Sequence, residues 1–133
     1  MGIDRSISTR AREALRRIER LEAERRRVQR SLARCTPGSP YARELDEQLA
    51  ELDVRIEHWG AIVVRAEAEG FRVWTRADFR RGDFVRYRGD WYEVLRANPK
   101  SLTVPHGRGT WTVPYTDVSG RRSGVDQGAG DAA

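Results

Sequence analysis

Few residues in this chain could carry covalent or acid–base chemistry: one cysteine, Cys35, and two histidines, His58 and His106. Nucleophilic catalysis needs a cysteine or serine beside a histidine that an acid orients. Here Cys35 ends a heptad seam, His58 lies inside a second periodic stretch and His106 falls in a glycine-containing turn. One cysteine and two histidines also fall short of the four ligands of a closed zinc site, and a single cysteine cannot form an internal disulfide. Gly107-Arg108-Gly109 lacks the P-loop lysine and the strand-loop-helix setting in which glycine amides cradle a phosphate, so a hairpin turn is the simpler reading. Arg88-Gly89-Asp90 likewise falls where a strand pair needs its turn, and Gly89-Asp90 can make a two-residue hairpin loop with glycine first. The carboxylates are spread along polar stretches, not paired in the apolar setting that acid–base catalysis uses. The expectation is a protein that is not an enzyme and holds no cofactor and no metal.

The constellation with positive content is basic and aromatic. Arg81, Arg86, Arg88, Arg96, Lys100 and Arg108 fall on predicted strands and turns of the C-terminal half, where they would suit nucleic-acid phosphates. Arg86 and Arg88 are expected to share a strand face with Arg96 beside them. Tyr92, Trp111 and Tyr115 could add stacking platforms for bases. The competing reading is a protein-docking surface made by Trp111, Tyr115 and Tyr92 together with Leu21, Val28, Leu52 and Trp59 of the helical seam. Packing alone could also account for the four tryptophans of so short a chain.

Two helices and a small β module must position these residues. Ile7, Ala14, Leu21, Val28 and Cys35 recur every seven residues, with Arg25 breaking the seam. Leu45, Leu49, Leu52, Ile56, Trp59, Val63 and Ala66 then advance in steps of four and three, again a heptad pattern. Between them, Thr36-Pro37-Gly38-Ser39-Pro40 supplies a glycine for positive φ, a serine cap and a proline for the first helical position. Residues 1 to 35 hold eleven arginines against five acids, and residues 36 to 70 hold three against eight, so the segments should pair. From Phe71 the pattern shifts to short β-rich runs over 71–74, 83–88, 91–97, 102–105 and 111–118, punctuated by turn residues. Parity along Trp91 to Leu95 breaks strict alternation and predicts a bulge or strong twist.

These elements define an α+β fold: a long N-terminal helical hairpin (antiparallel coiled coil, helices about 7–35 and 40–69), then a small five-stranded SH3-like β-barrel over 71–118. A disordered tail is expected over 119–133. The expected barrel core is Val73, Phe79, Val85, Tyr87, Trp91, Val94, Leu102, Val104 and Val113. The apolar share of 38%, below the roughly 45–50% of globular domains, suits such thin cores. No run approaches the roughly 20 apolar residues of a membrane span, so no membrane role and a cytoplasmic location are expected. The open flanks of the hairpin suggest a homo-oligomer, most simply a dimer.

The wording Gly82-Asp83-Phe84-Val85-Arg86-Tyr87-Arg88-Gly89, then Trp91-Tyr92-Glu93-Val94 and Asn98-Pro99-Lys100-Ser101, resembles a family of uncharacterised actinobacterial proteins, a domain of unknown function also carried by actinobacterial phages and plasmids. The similarity covers about residues 40 to 122. It implies a phage or mobile-element origin and brings no catalytic residue with it. The function expected is therefore a non-enzymatic binding or adaptor protein whose barrel contacts nucleic acid through an arginine-rich face. The alternative is a protein-binding adaptor, a phage factor docking on a host complex or a virion component through the hairpin and the barrel aromatics.

Overall fold

The computed structural model describes residues 5–124, and the chain divides between residues 72 and 73 into two compact units. The first is the expected hairpin, made of α1 (Arg5–Ala33) and α2 (Pro40–Ala68), each of 29 residues. Ser39 caps α2, its hydroxyl accepting from the Ala42 amide at 3.2 Å, with Pro40 at the first turn. Gly38 takes φ +78° in the connection. After α2, Gly70 takes φ +104° while the Phe71 amide returns to the Ala66 carbonyl at 2.9 Å, which closes the last turn. The seam buries Val28, Leu45 and Leu52, with Leu21, Leu32, Cys35 and Leu49 packed against them. Arg25, the break in the heptad pattern, leaves the seam and reaches Asp53 of α2 at 2.7 Å. A half-exposed pair of this kind contributes no more than about 1 kcal/mol, so apolar packing carries the hairpin.

The second unit departs from the expectation. Its described residues hold six strands rather than five: β1 (Phe84–Tyr87), β2 (Asp90–Glu93), β3 (Arg96–Ala97), β4 (Ser101–His106), β5 (Gly109–Pro114) and β6 (Gly120–Arg122). They form two antiparallel three-stranded sheets, ordered β2-β1-β6 and β3-β4-β5, and not one closed barrel. The expected strand 91–97 divides into β2 and β3 because consecutive amides donate to different sheets. Val94 donates to Asp83 at 2.7 Å, whereas Leu95 donates to Thr103 at 2.9 Å. The irregularity expected from parity is thus a change of sheet. Closure fails because β5 and β6 each have a single strand neighbour and do not pair with each other.

Residues 71–74 form no strand, and β1 is the central strand of its sheet, flanked by β2 and β6. Strand β6 comes from the segment expected to be disordered; of that tail, residues 125–133 lie outside the described residues. The strand expected over 111–118 ends at Pro114, and Tyr115–Asp117 make a 3-10 turn before β6. Between the sheets lie Phe79, Val85, Val94, Leu102, Val104, Val113, Tyr115 and Val118. Three core assignments change: Val73 is only half-buried and lies outside this core, Tyr87 is partly buried at its rim, and Trp91 lies on the outer face of the first sheet. Directly opposite Trp91 across the register is Arg86, and the Arg122 guanidinium sits 4.1 Å from the Trp91 ring.

Asp83 fastens the start of β1 to β6 and the residues just beyond it. Only 3% exposed, its carboxylate accepts from the Arg80 amide at 2.8 Å, the Gly124 amide at 3.0 Å and the Arg121 guanidinium at 3.3 Å. Burial alone would raise the Asp83 carboxyl, but the two amides and Arg121 outweigh it and hold the carboxyl below its ordinary value of 3.8. Gly124 has no room for a side chain, because a Cβ there would collide with the Gly82 carbonyl.

A depressed carboxyl contributes stability above its unfolded pKa and loses it as pH falls through the folded value. Asp83→Asn should therefore lower stability at neutral pH by about 1–3 kcal/mol, the usual cost of unpairing buried hydrogen-bonding groups. In thermal melts the difference from the parent should shrink below about pH 4; a difference that persisted unchanged into acid would contradict the clasp.

Candidate functional site

The change of sheet at Val94–Leu95 decides which strand faces meet, and strand direction decides which loops share an end. Strands β2 and β3 run on in one direction away from the β1–β2 turn, and β4, antiparallel to β3, returns toward that turn. The tips of both hairpins, Arg88-Gly89 and Gly107-Arg108, are therefore at the same end of the β unit. Ring contacts confirm it, with Tyr87 beside the first tip 6.3 Å from Trp111, two residues past Gly109 of the second.

Three aromatic rings form a floor between the tips. Val85 is buried and faces Tyr92 across β1–β2, so Tyr92 shares the inner face, and so does Tyr87 two residues on. Trp111 is paired with buried Val104 and belongs to the inner face of the second sheet. The rings stand 6.1–6.4 Å apart: Tyr87–Tyr92 at 6.4 Å, Tyr92–Trp111 at 6.1 Å and Tyr87–Trp111 at 6.3 Å. All three are half-buried and pack against the core. Exposed His106 stacks on Trp111 with 3.4 Å between ring centroids and an interplanar angle of 14°. The Arg88 guanidinium lies 5.0 Å from the Tyr87 ring, and Arg108 occupies the neighbouring tip. Such a surface offers flat apolar faces, which stack on any nucleobase, and two cations placed for phosphates. Asp90, opposite Tyr87 in the register, is the acid at this end and tempers the positive charge.

The six expected basic residues do not form one face. Arg88 and Arg108 converge at the tips. Arg86 points to the outer face of the first sheet, where it meets Gly120 and Trp91, and Arg96 lies opposite Thr103 in the other sheet. The expected common face of Arg86, Arg88 and Arg96 is thereby corrected, since the change of sheet separates Arg96 and the end of β1 separates Arg88. Arg81 precedes β1 and Lys100 precedes β4, both at strand ends away from the tips.

The docking residues are redistributed as well. Tyr115 is buried in the core, its hydroxyl donating to the Asn98 carbonyl at 2.6 Å, and burial pushes that phenol above its ordinary value of 10.0. It offers no platform. Val28 and Leu52 face the interior of the hairpin, with Leu21 half-buried against them. Trp59, also half-buried, lies beneath the Arg17 guanidinium at 4.6 Å with His58 edge-on at 5.1 Å. Cys35 donates its thiol to the Ser31 carbonyl at 3.2 Å. Among the described residues no group of histidine, cysteine and acidic side chains could hold a metal, and no helix is long and apolar enough to cross a membrane.

Compared with family models, curated proteins and solved structures, the chain matches none. The functional reading therefore rests on the tip geometry. Sequence reasoning missed Tyr87 and His106 as members of this surface. The alternation from Val85 to Tyr87 put Tyr87 on the inner face, but only the change of sheet shows that this face ends at an open rim.

The first tip carries a strain with a functional bearing. Two-residue hairpin loops of the type with positive φ at both central positions favour Asn-Gly; here Arg88 (φ +52°) precedes Gly89 (φ +86°). The loop is Arg88-Gly89 and not Gly89-Asp90, as the pairing of Tyr87 with Asp90 requires. A left-handed conformation costs an ordinary side chain about 1–2 kcal/mol. Arg88→Asn should thus raise the urea midpoint, by up to about 1 kcal/mol in stability; an unchanged or lower midpoint would show that the contact with Tyr87 outweighs the strain.

Proposed function

We propose that this protein is a non-catalytic binding module that takes single-stranded nucleic acid on the tip end of its β unit. The observation that carries the proposal is the convergence of two arginine-bearing hairpin tips on an aromatic floor. Bases would stack on Trp111, Tyr92 and the His106–Trp111 pair while Arg88 and Arg108 meet the backbone phosphates. Single strands fit better than duplex, because stacking needs bases whose faces are free. The same reading takes the β unit as an SH3-like small barrel opened between β5 and β6. Supporting it are two short sheets joined through one bent strand and a 3-10 turn ahead of the last strand. An origin on a phage or other mobile element belongs to the proposal and rests on the resemblance over residues 40 to 122.

The adaptor reading has less to stand on. Val28, Leu52 and Tyr115 face the two cores, which leaves Trp111, Tyr92, Trp59 and Leu21 of the surface it required. It survives as a distinct outcome of the same experiment, a partner bound at the tips with little sensitivity to salt.

Fluorescence anisotropy with a mixed-sequence single-stranded oligonucleotide tests the proposal. Removing one stacking platform by Trp111→Ala should cost about 1–3 kcal/mol, roughly 5- to 150-fold in affinity. Because Trp111 also packs on the core, the exposed pair Arg88→Gln with Arg108→Gln provides an independent arm. It should flatten the dependence of log affinity on log salt by about 1.4, two contacts at about 0.7 each. Wild-type affinity and salt dependence in a folded Arg88→Gln/Arg108→Gln protein would overturn the reading.

A further inference from the structure

The hairpin carries a second basic and aromatic site that the tip surface does not use. Arg17, Arg20 and Leu21 lie three and four residues apart on α1, and Arg55 and Trp59 four apart on α2. That spacing places each set on one face of its helix. Together they line a groove of about 210 Å³. Trp59 and Leu21 are half-buried in it. Arg17 covers the Trp59 ring at 4.6 Å and donates Nε and one terminal nitrogen to Glu13 at 3.2 and 3.0 Å. The Arg20 and Arg55 side chains make no hydrogen bond or ion pair with any described residue.

The charge pattern here runs against that of the rest of the hairpin. Helix α2 is rich in acids and meets α1 with one of them at Arg25–Asp53. At this groove it presents Arg55 instead, so three guanidinium groups share one small space. Like charges at such spacing destabilise a helical surface by a few tenths of a kcal/mol per pair, and a bound anion removes that cost. An aliphatic and aromatic floor with guanidinium groups on both walls suits a phosphate oxygen, which the planar N–H fork meets with two parallel hydrogen bonds.

We infer that the Arg17, Arg20, Arg55 and Trp59 groove is a second phosphate site, occupied by a phosphodiester of the bound nucleic acid. For its ligand class this rests on the function proposed above, but its residues are separate from the tips. Trp59 is already covered by Arg17, so the groove binds backbone and leaves base contacts to the tip surface. It adds affinity without adding sequence preference.

The full chain and its Arg20→Gln/Arg55→Gln variant test the inference, both side chains being exposed and dispensable for packing. Without nucleic acid, the variant should melt at or above the wild-type temperature, because repulsion is relieved. With the single-stranded oligonucleotide, its salt dependence should flatten by about 1.4 and its affinity at low salt fall about tenfold. Arg20→Lys/Arg55→Lys should retain most of the salt dependence. A wild-type affinity and salt dependence in the glutamine variant overturns the inference. So does a thermal stabilisation by inorganic phosphate that only the variant loses while oligonucleotide binding is untouched, since the groove would then be a small-anion site. If the tip variants bind as wild type and the groove variant binds weakly, the tip reading falls and the groove stands; the opposite pattern removes the groove alone.

Discussion

Two successive amides set the geometry of the β unit. The Val94 amide donates to Asp83 in the first sheet and the Leu95 amide to Thr103 in the second, so the chain changes sheets within one residue step. Because the strand keeps its direction through the change, the hairpins on either side end at the same pole. Had residues 90–97 stayed in one sheet, the Arg88 and Arg108 tips would still share a pole, but Tyr87 on β1 and Trp111 on β5 would stand three strands apart and their rings could not meet. The buried Val94 side chain anchors the crossing point among the core residues of both sheets.

The rest of the unit holds that crossing in place. Leu102, Val85, Val94, Val104 and Val113 are the largest fully buried side chains, and each contributes about 1.5–3 kcal/mol on burial. So small a core needs polar fasteners. Asp83 ties the segment entering β1 to Arg121 and Gly124 at the end of the described chain, and Tyr115 ties the 3-10 turn to the Asn98 carbonyl. Gly120 lets the Trp91 ring lie across β6, with Arg86 and the Trp91 edge both 3.4 Å from where a Cβ would stand. These contacts occupy the sheet faces and the pole opposite the tips. What they leave open is the aromatic rim.

Much of this was legible in the sequence, for physical reasons that can be named. The hairpin was written twice, in heptad spacing and in the Gly38-Ser39-Pro40 punctuation, because a helix buries a stripe at fixed period. Four turns of the β unit were readable from glycine, proline and asparagine. Strand β6 was not, since Gly120-Arg121-Arg122 has no apolar alternation; it pairs through its backbone, and Arg122 lies over a tryptophan on the outer face. The register of the first hairpin was missed by one residue because arginine is a poor choice for positive φ. Tyr115 was taken for surface together with Trp111 although it shares the parity of Val113; the 3-10 turn after Pro114 keeps it in the core, where its hydroxyl donates to the Asn98 carbonyl. Of the candidate site, residue types were visible, but grouping Arg88 with Arg108 and not with Arg86 required the change of sheet.

The most direct test of the central claim is amide and indole NMR of the full chain during titration with a single-stranded oligonucleotide. The account predicts that the Trp111 indole and the amides of Arg88, Gly89, Gly107 and Arg108 shift together and saturate at one ligand concentration, while the buried Val85 and Leu102 amides hold still. Shifts confined to Arg81, Lys100 and the outer-face residues Arg86 and Arg96, with Trp111 unmoved, would contradict it.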